Sequence, residues 1–242
     1  MISLQETIDD AWEQMDMGEY AHAADLARQA LETQPDAIDA YVVLAQTRGV
    51  AAEAIALLRE AVLIGNRTGR ASDGADTTEC PYDRRAHVRA IGNLARLLWA
   101  DGRAHHRAEA VKHARRASRL DPDDRAGTRL LLMAWEATAG NWPAARRVTR
   151  RCRDEGRTEV RYWLALHAFR DGSADADTLL AQAIKTNPHV VAALQGRLLA
   201  LHLPEGSYGF GSPDEAALYA SDARDGWKST PGALAWLAAA EA

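Results

Sequence analysis

The run GEYAHAADLARQALETQPDAIDA, Gly18 to Ala40, decides the fold. Gly18 can take the left-handed backbone that ends one helix and turns the chain into the next. Ala23, Ala27 and Ala30 recur at helical spacing and form a narrow face on which a second helix can approach closely. Pro35 cannot continue a helix, and it suits the first turn of the one that follows. The segment therefore reads as the second helix of a helical hairpin with its exit turn.

The same order of residues recurs along the chain at a period near that of known helical-hairpin repeats. Leu44-Ala45, Ala54, Leu58 and Ala61 make a second unit with a shortened turn. Leu94-Ala95, Gly102, Ala110, Ala114, Ala117 and Pro122 make a third. Leu132-Met133, Gly140, Ala145 and Cys152 make a fourth, and Leu164-Ala165, Gly172, Ala176, Leu180, Ala183 and Pro188 a fifth. This turn chemistry predicts an all-α tetratricopeptide-type α-solenoid, a right-handed superhelix of helix pairs ending in C-terminal capping helices.

Outside the hairpins the rhythm changes twice. Residues 66–82 are rich in Gly, Asp, Thr and Arg, show no helical face, and are expected to form an exposed loop holding Cys80 as a free thiol. After Pro188 one further helix is expected to about Leu203, then a turn through 204–209. Ser212-Pro213-Asp214-Glu215 reads as a reciprocal capping box, and Thr230-Pro231 as a second cap before a helix from Gly232 to Ala240. Tyr219, Trp227 and Trp236 supply apolar surface to cover the end of the repeat array. The expected layout is one repeat domain with acidic repeats over 1–65, the loop over 66–82, basic central repeats over 83–203 and a cap over 204–242.

The net charge of -5 on 242 residues conceals a segregation. Residues 1–80 carry 5 basic and 15 acidic side chains, residues 81–170 carry 20 and 10, and the remainder 4 and 9. The start of the chain has no basic stretch followed by an apolar one, and no apolar run is long enough to span a bilayer, so a cytoplasmic setting without a membrane is expected. The two cysteines, Cys80 and Cys152, have no metal-type spacing and suggest no disulfide framework.

From Arg84 onward the chain resembles bacterial tetratricopeptide proteins related to the suppressor-of-tumorigenicity-seven family. The likeness lies in Arg85 and Arg89 ahead of Leu94-Ala95, Gly102-Arg103, Asp121-Pro122-Asp123-Asp124 with Gly127 and Arg129, and Phe169-Arg170 with Gly172. It continues through Asn187-Pro188-His189-Val190, Asp214-Glu215-Ala216, Tyr219-Ala220, Trp227, Thr230 to Leu234, and Trp236-Leu237. The resemblance implies a helical scaffold and supplies no catalytic residue.

Signals for chemistry are weak. His105, His106 and His113, with Glu109 and Glu79 as further donors, lack a metal-ligand spacing and read as a solvent-facing cluster, so no metal or cofactor is expected. His189 reads as a buried or capping residue. No nucleophile elbow, Cys–His pair or phosphate-binding glycine loop occurs, and the chain is read as a non-enzyme. Arg146, Arg147, Arg150, Arg151, Arg153 and Arg157 are a dense basic run. A nucleic-acid-associated role for this basic middle is the alternative reading, and the missing aromatics and the acidic balance argue against nucleic acid as the partner.

In tetratricopeptide repeats the first helix of each pair lines the concave groove. Carrying those positions across selects Trp12, Met15 and Asp16 in the first hairpin. It selects Arg89, Arg96 and Trp99 in the third, and Tyr162, Phe169 and Arg170 in the fifth. Arginines beside aromatics suit an acidic or carboxylate-ended peptide. The expected function is a protein–protein interaction scaffold or adaptor that holds a segment of a partner protein in this groove.

Overall fold

The computed structural model describes residues 3–72, 83–124, 127–198 and 209–240. Among them are thirteen α-helices and no strand. No helix is long and apolar enough to cross a membrane among these residues. The chain divides into two compact units, Met1–Thr128 and Arg129–Ala242.

The first unit holds three hairpins: α1 (Leu4–Asp16) with α2 (Tyr20–Thr33), α3 (Ile38–Gln46) with α4 (Ala51–Ser72), and α5 (Arg84–Asp101) with α6 (Ala104–Leu120). Helix α1 opens with a complete capping box. Ser3 Oγ accepts from Glu6 N at 3.2 Å, and Ser3 N donates to Glu6 Oε2 at 2.6 Å. Helix α5 starts on Asp83, whose carboxylate accepts from Arg85 N and Ala86 N at 2.9 and 3.0 Å. Its end is Gly102, at φ 79°. Gly18, Gly140 and Gly172 close the other expected turns with the same left-handed backbone.

The small residues read as hairpin contacts are buried. Ala23, Ala27 and Ala30 of α2 are no more than 1% exposed, as are Ala110, Ala114 and Ala117 of α6. Methyl groups on the facing sides allow the axes to approach closely, and the larger Leu58, Leu94 and Leu98 are buried with them. Each such large side chain contributes about 1.5–3 kcal/mol through burial.

The second unit contains α7 (Thr128–Thr138) with α8 (Trp142–Arg151) and α9 (Thr158–Arg170) with α10 (Ala176–Thr186), then α11 (His189–Leu194), α12 (Pro213–Lys228) and α13 (Ala233–Ala239). Tyr219 and Trp227 lie at its centre, with Trp227 Nε1 donating to Tyr219 Oη at 2.9 Å. Helix α12 packs on α9 and α11, so the C-terminal segment is an integral layer of this unit.

Four local expectations need correction. Helix α4 continues to Ser72, so the stretch expected to be a loop from residue 66 begins as helix. Residues 73–82, with Cys80, lie outside the described residues. The helix after Pro188 ends at Leu194, not near Leu203. At α12 only half of the capping box forms: Ser212 Oγ accepts from Glu215 N at 3.1 Å, while the Glu215 side chain turns inward. Thr230 caps no helix. Its hydroxyl donates to Gly226 O at 3.1 Å, and Gly232, at φ 80°, is the residue that opens α13.

Candidate functional site in the first unit

Helices α1, α3 and α5, the first members of their hairpins, converge on Arg89. Its guanidinium lies 2.5 Å from Asp39 Oδ2 of α3 and 5.0 Å from the centroid of the Trp12 ring of α1. One side chain thus joins three helices by an ion pair and a cation–π contact. Burial pushes the Asp39 carboxyl above its ordinary range even though the Arg89 cation pulls it down. Asp39 Oδ1 is buried without a hydrogen-bond partner, which is why burial outweighs the ion pair. One turn along, Gln46 Nε2 donates to Asn93 Oδ1 at 3.2 Å, and Asn93 Nδ2 donates to Arg89 O at 2.9 Å.

Beside this junction a cleft of about 500 Å³ opens between α5 and the turn that follows α6. Its basic wall is Arg84, Arg85, Arg89 and Arg96 of α5. Val88, Leu120 and Pro122 give it an apolar surface, and Asp121 and Asp123 stand at the turn. Gly92 forms part of its floor. Arg84 and Arg85 occupy the first turn of α5, where the helix end already carries partial positive charge. Two cations there disfavour the helix, and Asp83 as N-cap offsets part of that. The result is a cleft with four basic and two acidic side chains on its walls.

The sequence-selected residues divide between this cleft and ordinary packing. Arg89 and Arg96 line the cleft. Trp12 and Met15 are half-buried against the N-terminal core, and Asp16 is exposed. Trp99 is half-buried, with the Arg107 guanidinium of α6 5.1 Å from its centroid, and it does not line the cleft.

In the second unit the expected groove positions make contacts within the unit. Tyr162 is fully buried, and its hydroxyl donates to Asn187 O at 2.8 Å. Phe169 stacks on Trp236 of α13 at 4.5 Å. The Arg170 guanidinium lies 3.6 Å from the Trp142 ring centroid and donates to Thr230 Oγ1 at 2.9 Å. Tyr162 and Phe169 are therefore corrected from groove to packing residues, because α12 and α13 fold against the face of α9 that presents them, while Arg170 stays exposed. Sequence reading missed Arg84, Arg85, Asp39 and the Asp121-Pro122-Asp123 turn as parts of the site. The Arg84-Arg85 pair next to a helix-capping Asp83 was the available signal.

The histidines are not a solvent-facing cluster. His106 is buried, with Nδ1 2.7 Å from Asp101 Oδ2, and His113 Nε2 lies 3.6 Å from Glu109 Oε1. Arg103 and His106 together hold the Asp101 carboxyl well below the ordinary range. His189 is exposed, and the capping group at that turn is Asn187, whose Oδ1 accepts from His189 N at 3.1 Å. Among the described residues no group of three His, Cys, Asp or Glu is arranged to hold a metal.

Glycine-turned helical hairpins with small residues at the contacts define a tetratricopeptide-type α-solenoid, and comparison with solved structures agrees. The chain is similar to YrrB, a TPR protein with an unusual peptide-binding site: TM-score 0.54 and 17% identity over 76% of this chain and 86% of that one. It is also similar to MamA in two structures, with TM-scores of 0.53, identities of 16% and 15%, and coverage of 72% and 83% of this chain and 92% and 98% of theirs. No protein-family model and no curated protein matches the chain.

Proposed function

We propose that this chain is an interaction scaffold, acting by binding and not by catalysis, whose first-unit cleft holds an acidic or carboxylate-ended segment of another protein. The observation that carries the reading is the cleft itself: four arginines on one wall beside apolar Val88, Leu120 and Pro122, at the positive end of α5. Arginine forks suit carboxylates, and the apolar side suits the stem of a peptide side chain. The similarity in fold to a TPR protein with a peptide-binding site supports the same reading. A bacterial cytoplasmic setting and kinship with the suppressor-of-tumorigenicity-seven relatives belong to this proposal and rest on the sequence alone.

The test is fluorescence anisotropy with labelled Glu/Asp-rich peptides bearing a free C-terminus, against Lys-rich peptides of equal length. Saturable, salt-sensitive binding of the acidic set alone is expected, lost in Arg84→Glu/Arg85→Glu/Arg96→Glu and kept in Arg147→Glu/Arg151→Glu. Equal binding of both peptide sets, or loss only in the second variant, would overturn the proposal.

A further inference from the structure

We infer that copies of this chain associate head to tail, with α8 of one copy against α1 of the next. Helix α8 exposes Arg147, Arg150 and Arg151 on one face, and none of the three has a hydrogen bond or ion pair among the described residues. Their neighbours differ: Arg146 pairs with Asp171 and Arg153 with Asp154. Helix α8 contains no acidic residue. Arg147 and Arg151 are four positions apart, where like charges repel, so a facing anionic surface relieves a strain within the helix.

Helix α1 is the matching surface. It contains no basic residue and exposes Asp9, Asp10 and Glu13 on the side away from its buried Thr7, Ile8 and Ala11. None of these three carboxylates makes an ion pair among the described residues, and Asp9 and Glu13 repeat the repulsive spacing. From Asp9 to Glu13 and from Arg147 to Arg151 the rise is the same, about 6 Å. Each helix carries one sign of charge, and the signs are opposite.

A second copy suits α8 better than nucleic acid does. The chain as a whole is acidic, at -5, which disfavours a polyanion, whereas residues 1–80 of a second copy, with 5 basic and 15 acidic side chains, offer the opposite sign. The two surfaces differ, so the contact is heterologous and leaves one of each unused at the ends of any open assembly, which then grows or closes into a ring. Exposed ion pairs are individually weak and screened by salt, so the association is concentration-dependent and strongest at low ionic strength. The inference is independent of the arginine cleft.

Sedimentation equilibrium on the full chain tests it. At about 25 mM salt the weight-average mass should rise with concentration, and at about 500 mM it should fall to the 26.4 kDa of a single chain. Arg147→Glu/Arg150→Glu/Arg151→Glu and Asp9→Lys/Asp10→Lys/Glu13→Lys should each remain single chains at low salt. Their equimolar mixture should associate again, because each supplies the surface that the other has lost. The milder Arg147→Gln/Arg150→Gln/Arg151→Gln serves if charge reversal disturbs helicity by circular dichroism. A wild-type mass of one chain at every salt and concentration overturns the inference, as does association that neither variant changes. So does a mixture that stays unassociated, or a mass that rises only when single-stranded RNA is added.

Discussion

Glu215, in the first turn of α12, accepts the hydroxyl proton of Thr158, 57 positions earlier, at 2.8 Å. The same carboxylate oxygen accepts from Asn187 Nδ2 at 2.9 Å and Gly211 N at 2.7 Å, and the side chain is 1% exposed. One buried charge thus joins the starts of α9 and α12 to the end of α10, held by three donors and by the positive end of α12.

Glu215→Ala leaves those three donors without an acceptor in a dry site. It should destabilise the chain by about 3–5 kcal/mol, the range for breaking a buried charged network from one side. Glu215→Gln keeps an acceptor and should cost less. Urea unfolding followed by tryptophan fluorescence checks both, and equal midpoints for the wild type and the alanine variant would sink this account.

That junction also marks where sequence reading stopped. Glycine at the turns and alanine at the contacts are local signals, so the five hairpins were legible. The spacing Ser212–Glu215 was legible as a cap too, but which way the carboxylate turns depends on Thr158 and Asn187, brought to it only by folding. The groove positions depend on the same kind of distant contact. Carrying first-helix positions across selects Arg89 and Arg96, which line the cleft, whereas Tyr162 and Phe169 face helices whose return path no local pattern encodes. Arg84 and Arg85 were visible as charges, and their meaning came from the turn at Asp121-Pro122-Asp123 beside them.

Two buried histidines should make stability fall on mild acidification. Burial, with a nearby arginine, lowers His87 and His167 to about 4. At His167 the Thr149 hydroxyl donates to Ala145 O at 3.0 Å, so it accepts from Nε2–H at 3.3 Å, which leaves Nδ1 without a partner. A second proton would bury an unpaired N–H. The unfolded chain binds that proton near pH 6.5 and the folded one only near 4. Stability is therefore full above about 6.5 and is lost as pH falls toward 4, by an amount on the order of 3 kcal/mol per histidine. Thermal melts between about pH 5 and 7, where few carboxylates titrate, check the slope. His167→Gln should flatten it, and an unchanged slope in that variant would show that His167 does not contribute.

Gly226→Ala is a second probe of the second unit. Alanine inside a helix normally stabilises by about 1 kcal/mol over glycine. In α12 the added Cβ would lie 2.7 Å from Cη2 and 3.3 Å from Cζ3 of Trp163, a ring that is only 1% exposed and cannot retreat into solvent. Overpacking of this kind costs about 1–3 kcal/mol, so the net effect should be a loss of stability. A melting temperature at or above that of the wild type would show that the ring has room to move.

The ion pair of Arg89 with Asp39 decides how the cleft can be probed. Arg89→Ala leaves the Asp39 carboxylate, 14% exposed and with one oxygen already unpartnered, without its cation. Arg89 itself is 40% exposed, so the expected loss is discounted to about 1–2 kcal/mol. Asp39→Asn should be close to neutral or slightly stabilising near pH 7. The reason is the raised Asp39 carboxyl: the folded chain holds that proton more tightly than the unfolded one, so the ionised form is the less favoured in the fold. In the Asp39→Asn background, Arg89→Ala should then cost less than it does alone, and the difference is the coupling that a double-mutant cycle by urea unfolding reads. Zero coupling would mean that the pair contributes nothing and that Arg89 is held by Trp12 alone. Arg89→Glu would set a second carboxylate against Asp39 and unsettle α1, α3 and α5 together, so a loss of binding in that variant would not separate recognition from folding. Arg84, Arg85 and Arg96 are exposed on the cleft wall and none of them is the ion-pair partner of Asp39, which makes charge reversal there the cleaner measure of what the cleft recognises.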